Sequence, residues 1–168
     1  MDAFTIDGFA FCQRGELRGG EFKVAELARL AEETTDGSGM LKWSVQGGSD
    51  VRGNPKLELS ASGSVNLMCQ RCLLPYAFDI DSQSTLILAK DEQSVDALEE
   101  LLDDDAVDVV AGDKAFSIAE LIEDEALLVL PVSPKHETCP DEVSLKAVMK
   151  DDEKVSPFAV LKNIKPSR

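Results

Sequence analysis

Four side chains carry the clearest chemistry in this sequence. Cys69-Gln70-Arg71-Cys72 sets two thiols two residues apart, a spacing at which a tight turn presents both thiolates to one tetrahedral ion. His136-Glu137-Thr138-Cys139 offers a second pair, and His136 is the single histidine of the chain, on a proline-flanked stretch. Together Cys69, Cys72, His136 and Cys139 make a three-sulfur, one-nitrogen set, the composition of a closed structural zinc site. Sixty-three residues separate the two pairs, so only the fold can unite them.

Two other readings compete. In one, Cys69 packs inward at a strand end and the remaining thiols hold no metal. In the other, Cys69 and Cys72 do thiol redox chemistry. A thioredoxin-type pair opens a helix, whose dipole lowers the thiol pKa, whereas this pair lies between two strand patterns and runs into Leu73-Leu74-Pro75. Cys12 has no partner in sequence. No further catalytic set stands out. Gly15, Gly19 and Gly20 lack the Lys-Ser/Thr of a phosphate loop, one histidine limits general-base chemistry, and the carboxylates sit in a charge run. The expectation is a protein that is not an enzyme and takes no small-molecule substrate.

The elements that must position these residues read as α+β. Val24, Leu27, Ala28 and Ala31 recur at helical spacing, which predicts a helix over residues 21–33, stopped by Thr34-Thr35-Asp36-Gly37. Leu41, Trp43 and Val45 alternate with polar residues and predict a strand, with Gly47-Gly48 and Gly53-Asn54-Pro55 as turns. Leu57 and Leu59, then Val65, Leu67 and Cys69, alternate on either side of Ser62-Gly63 and read as a β-hairpin. Tyr76, Phe78 and Ile80 suggest another strand, and residues 85–88 a further one. The expected sheet is antiparallel, either open or barrel-like, with flanking helices. Further on, residues 94–102 read as a short acidic helix and 107–110 as a strand. Ser117 with Glu120 is a capping box opening a helix whose stripe is Ile118, Leu121, Ile122 and Ala126. Residues 1–140 are expected to form one domain. Residues 141–168 read as a polar linker and a short terminal helix capped by Ser156 with Pro157 in its first turn.

Charge narrows the partners. The 168 residues carry a formal net charge of -15, which repels phosphate backbones and anionic lipid. Residues 91–120 hold eleven acids and one base, so -10 of the -15 is local to that stretch. The tail, with Lys162, Lys165 and Arg168, has no acid after Glu153. One Trp, one Tyr and seven Phe leave little for a base-stacking platform. The N-terminus lacks a basic start and apolar run, and the longest apolar stretch, 126–132, is far short of a membrane span. A cytoplasmic protein without membrane contact is expected, in which free thiols or metal ligands are favoured over disulfides.

Three segments add a resemblance. Cys69-Gln70-Arg71-Cys72-Leu73, then Glu123-Asp124-Glu125-Ala126-Leu127-Leu128-Val129-Leu130-Pro131-Val132-Ser133-Pro134-Lys135-His136, then Ser156-Pro157-Phe158-Ala159-Val160-Leu161 resemble, in order and context, the YceD family of large ribosomal RNA subunit accumulation proteins. The resemblance implies a cytosolic, non-enzymatic factor that supports accumulation of large-subunit (23S) ribosomal RNA. It implies as partner a ribosomal RNA precursor or a large-subunit ribosomal protein. Other branches of the family are richer in cysteine near Cys139-Pro140. Here either His136 replaces a lost ligand or the site has decayed. Pro157, Phe158 and Leu161 either anchor the tail to the core or form a partner-binding hook. A direct RNA contact would fall on Arg71, Lys162, Lys165 and Arg168. Outside ribosome biogenesis, the alternatives are a generic acidic protein-interaction adaptor and a thiol redox protein using Cys69 and Cys72.

Overall fold

The computed structural model describes residues 4–102 and 107–140. The expected linker, terminal helix and basic tail of 141–168 lie outside the described residues. Five strands form the main sheet in the order β2-β3-β4-β5-β6: β2 Leu17–Lys23, β3 Met40–Ser49, β4 Pro55–Met68, β5 Pro75–Ala89 and β6 Asp108–Ala111. The first four pair antiparallel and β6 joins β5 parallel. The sheet stays open between β2 and β6, so the architecture is α+β but the barrel closure does not form. A small ladder pairs β1 Thr5–Ile6 with β7 Phe116–Ser117. The helices are α1 Gly8–Arg14, α2 Ala28–Glu33, α3 Val95–Leu102 and α4 Ile118–Val129.

The expected hairpin is instead one strand. Leu57, Leu59, Ala61, Val65 and Leu67 are all buried on one face of β4, and Gly63 shares their parity rather than turning the chain. A Cβ at Gly63 would lie 2.3 Å from the Met40 carbonyl oxygen. The glycine is there to let β3 approach. Gly47 also lies inside a strand, because α1 crosses it and a Cβ would meet the Phe11 carbonyl at 2.6 Å. The two strands expected after Pro75 are likewise the single β5. Its end loses alternation because both faces are covered. Leu86 and Leu88 enter the main core, while Ile87 and Ala89 pack with Val109 beneath α3.

The helix expected over 21–33 is shortened at its start. Glu21, Phe22 and Lys23 belong to β2, opposite Lys42, Leu41 and Met40, and Phe22 stacks on Trp43 with ring centroids 5.3 Å apart. The stacking and ladder bonds outweigh the weak helical periodicity there. Helix α2 then starts at Ala28 with no side-chain cap of its own. Glu123 of α4 supplies one, its Oε1 accepting from the amides of Arg29 at 2.7 Å and Leu30 at 3.1 Å. The Ser117 half of the expected α4 capping box forms, its hydroxyl accepting from Glu120 N, and Ile118, Ile122 and Ala126 are fully buried.

Candidate metal centre

The site forms where β4 ends. Its last residue is Met68 and β5 begins at Pro75, so residues 69–74 reverse the chain. Two backbone bonds close this knuckle: Cys69 N donates to the Leu74 carbonyl at 3.0 Å and Leu73 N to the Cys69 carbonyl at 2.9 Å. The reversal forces Leu73 to φ +59°, in the left-handed region that favours glycine. The loop after α4 lies against the knuckle, held by Gln70 N donating to the Pro134 carbonyl at 2.8 Å. The Tyr76 ring packs on the His136 ring at 5.0 Å.

This contact joins the two halves of the ligand set. Cys69 Sγ lies 3.7 Å from Cys139 Sγ, and His136 Nδ1 lies 3.4 Å from Cys72 Sγ and 4.0 Å from Cys139 Sγ. All four ligand atoms fall within 4.8 Å of one another. A tetrahedral zinc ion with bonds of about 2.3 Å to sulfur and 2.0 Å to nitrogen spaces its ligand atoms roughly 3.5–3.8 Å apart. The donors therefore fit such an ion with small adjustments, and the group can hold a metal. All four cysteines of the chain are free thiols. Cys69 and Cys139 are buried, and Cys72 and His136 half-buried. Three sulfurs and one nitrogen complete the coordination, which suits a structural ion rather than one that activates water.

The backbone is arranged for sulfur carrying negative charge. Burial pushes the Cys69 thiol up, but the amides of Cys72, His136 and Arg71, together with the His136 side chain, outweigh it and hold it at about 5. Burial raises Cys72, and the adjoining Cys139 and Cys69 thiols raise it further. Arg71 sits across the joint: its Nε donates to Cys139 Sγ at 3.0 Å, and an Nη donates to the carbonyls of His136 at 3.1 Å and Glu137 at 3.4 Å. The sequence marks Arg71 as a positive charge beside the cysteines but not as a clamp on the second pair. Of the other expected contact residues, Pro157, Phe158, Leu161, Lys162, Lys165 and Arg168 lie outside the described residues. Cys12 is buried far from the group along the chain, its thiol donating to the Lys56 carbonyl.

The family model for the large ribosomal RNA subunit accumulation protein YceD matches residues 57–165. The chain belongs to the YceD family. The matched range runs from β4 onward and includes all four metal-ligand candidates, both halves of the knuckle contact and α4. Strands β1 to β3, with α1 and α2, precede it. No solved structure matches the chain. The family description ties the chain to accumulation of large-subunit ribosomal RNA. Among the described residues, no helix is long and apolar enough to cross a membrane.

Proposed function

We propose that this chain supports large-subunit ribosomal RNA accumulation as a non-enzymatic binding factor in the cytoplasm. Cys69, Cys72, His136 and Cys139 hold a structural zinc ion in this reading. Family membership supports the first part, and the convergence of four ligand atoms from sequence-distant segments carries the second. Bound zinc supplies a crosslink between the β4–β5 knuckle and the loop after α4. The chain's own groups prepare that link: amides of the knuckle and loop point at Cys69, and Arg71 balances the thiolate charge at Cys139.

The partner is a ribosomal RNA precursor or a large-subunit ribosomal protein. Contacts fall at the knuckle and in the tail, through Arg71, Pro157, Phe158, Leu161, Lys162, Lys165 and Arg168. The net charge of -15 favours the protein route. Redox chemistry at Cys69 and Cys72 has less support, because the pair stands between strands and a third thiol and an imidazole share its pocket.

Two measurements test the reading. Protein purified without chelator should carry about one equivalent of zinc, and Cys69→Ser or Cys139→Ser should remove it; under about a tenth of an equivalent in the wild type would sink the metal assignment. Deleting the protein should lower large-subunit relative to small-subunit ribosomal RNA. Unchanged RNA levels, with no co-sedimentation of the protein with precursor particles, would overturn the functional assignment.

A further inference from the structure

We infer that the groove between α3 and the α1 end of the sheet is a docking site for a Lys/Arg-rich polypeptide segment with an apolar anchor. Its cavity is about 500 Å³ and is lined chiefly by Phe9, Pro55, Leu88, Ala97, Leu98 and Leu101, with Lys90 also in the lining. Leu88 is buried, Leu98 is half-buried, and Leu101 remains 63% exposed. The walls are built. Val95, Leu98 and Leu102 pin α3 to Ile87, Ala89 and Val109. The 50–54 turn is held by Asp50, whose carboxylate accepts from Arg52 N, Asn54 N and the Asn54 amide. The Arg52 guanidinium in turn bonds the Leu101 carbonyl. The apolar exposure of Ala97 and Leu101 is thus a fixed surface.

Charge decides the occupant. The helix that walls the groove carries Asp96, Glu99 and Glu100 exposed, preceded by exposed Asp91 and Glu92; these five acids stand beside the groove, against one base, Lys90, in its lining. Nucleic acid and anionic membrane are repelled by such a run of acids. A second copy brings the same -15. The chain's own residues 141–168 hold six bases against five acids, but no acid follows Glu153, so residues 156–168 are the competing occupant that the test must separate. A separate basic segment satisfies both features at once: an apolar side chain fills the groove beside Ala97 and Leu101, and flanking Lys or Arg meet the acids of α3. This names a surface for the protein-contact route proposed above and rests on that route only for its partner in the cell.

The test uses purified full-length protein and two synthetic sixteen-residue helical peptides of equal positive charge, one with a leucine stripe and one with serine in its place. Fluorescence anisotropy should give at least tenfold tighter binding of the leucine peptide. Ala97→Trp, which fills the groove from an exposed position, should abolish that preference, and Leu101→Ser should cut it at least threefold. Glu99→Lys with Glu100→Lys should weaken both peptides and flatten the salt dependence. Equal binding of the two peptides, or a preference that survives Ala97→Trp, would show charge attraction without a groove and overturn the proposal. So would displacement of the leucine peptide by a peptide of residues 156–168, which would make the chain's own tail the occupant. All arms use purified protein, so their failure leaves the ribosomal RNA measurement standing.

Discussion

Arg71 and Cys139, sixty-eight positions apart, meet through an Nε–H···Sγ bond of 3.0 Å. The same guanidinium bonds the carbonyls of His136 and Glu137. One planar side chain from the first cysteine pair thereby fixes the orientation of the second. A zinc ion on three thiolates and a neutral imidazole leaves a net negative site, and this cation offsets it.

Arg71→Gln should therefore loosen metal without emptying the core. We expect an affinity loss of roughly 10- to 100-fold, the range seen when a group bonded to a metal ligand is removed. Arg71→Lys should recover only part of it, since an ammonium keeps the charge but not the planar fork. Competition with a chromogenic chelator reads the effect. Equal zinc release from wild type and Arg71→Gln would assign Arg71 elsewhere.

Leu73 is a leucine in a glycine conformation, φ +59°, and is 69% exposed. Left-handed backbone costs a β-carbon residue about 1–2 kcal/mol, part of which glycine returns through its freer unfolded chain. Leu73→Gly should stabilise the protein by about 0.5–1 kcal/mol in urea unfolding. A loss of stability would mean that the exposed leucine makes packing contacts that outweigh the strain.

Gly63 separates a continuous strand from the hairpin its Ser-Gly sequence suggests. With the Met40 carbonyl 2.3 Å from the position of a Cβ, Gly63→Ala must push β3 off β4. Destabilisation of about 2 kcal/mol or more is expected, whereas a change within about 0.5 kcal/mol would mean that β3 and β4 can part at this point without cost. Thermal unfolding of the alanine variant distinguishes the two.

Asp50 predicts a pH dependence. Burial raises its carboxyl, but bonds from the Asn54 side chain and from the amides of Asn54, Arg52 and Gly53 outweigh this and hold it below its ordinary value. A carboxyl lowered by folding binds fewer protons in the native state. Its stabilisation is complete above the unfolded value of about 3.9 and fades as pH falls through the lower folded value. The stability gap between wild type and Asp50→Ala should be widest above about pH 4 and narrow in more acid solution. A gap that is constant across this range would assign it to the turn backbone alone.

Local signals in the sequence match the structure where a single segment decides the outcome. The Ser117 cap, the apolar stripe of α4, the acidic helix and β6 depend on spacing within one turn or one strand, and each formed as its pattern indicates. Pattern and structure part where a distant segment competes. Phe22 left its helical pattern because Trp43 offers a stacking face. Gly47 and Gly63 looked like turns because a glycine needed for a neighbour's approach has the same letter as one needed for φ. The cap of α2 was invisible because Glu123 arrives from ninety-four positions away.

The site divides along the same line. The sequence by itself determined the four ligand types, the two-residue spacing of the first pair, and the family to which the whole set belongs. Spacing within a turn limits how two thiols can point, so that much is local. Only the tertiary structure decided that Cys139 reaches Cys69, that His136 faces Cys72, and that Arg71 locks the two pairs together. Their meeting depends on the lengths of β4 and β5 and on where α4 leaves its loop. Those quantities are set by packing over the whole core and by no single stretch of chain.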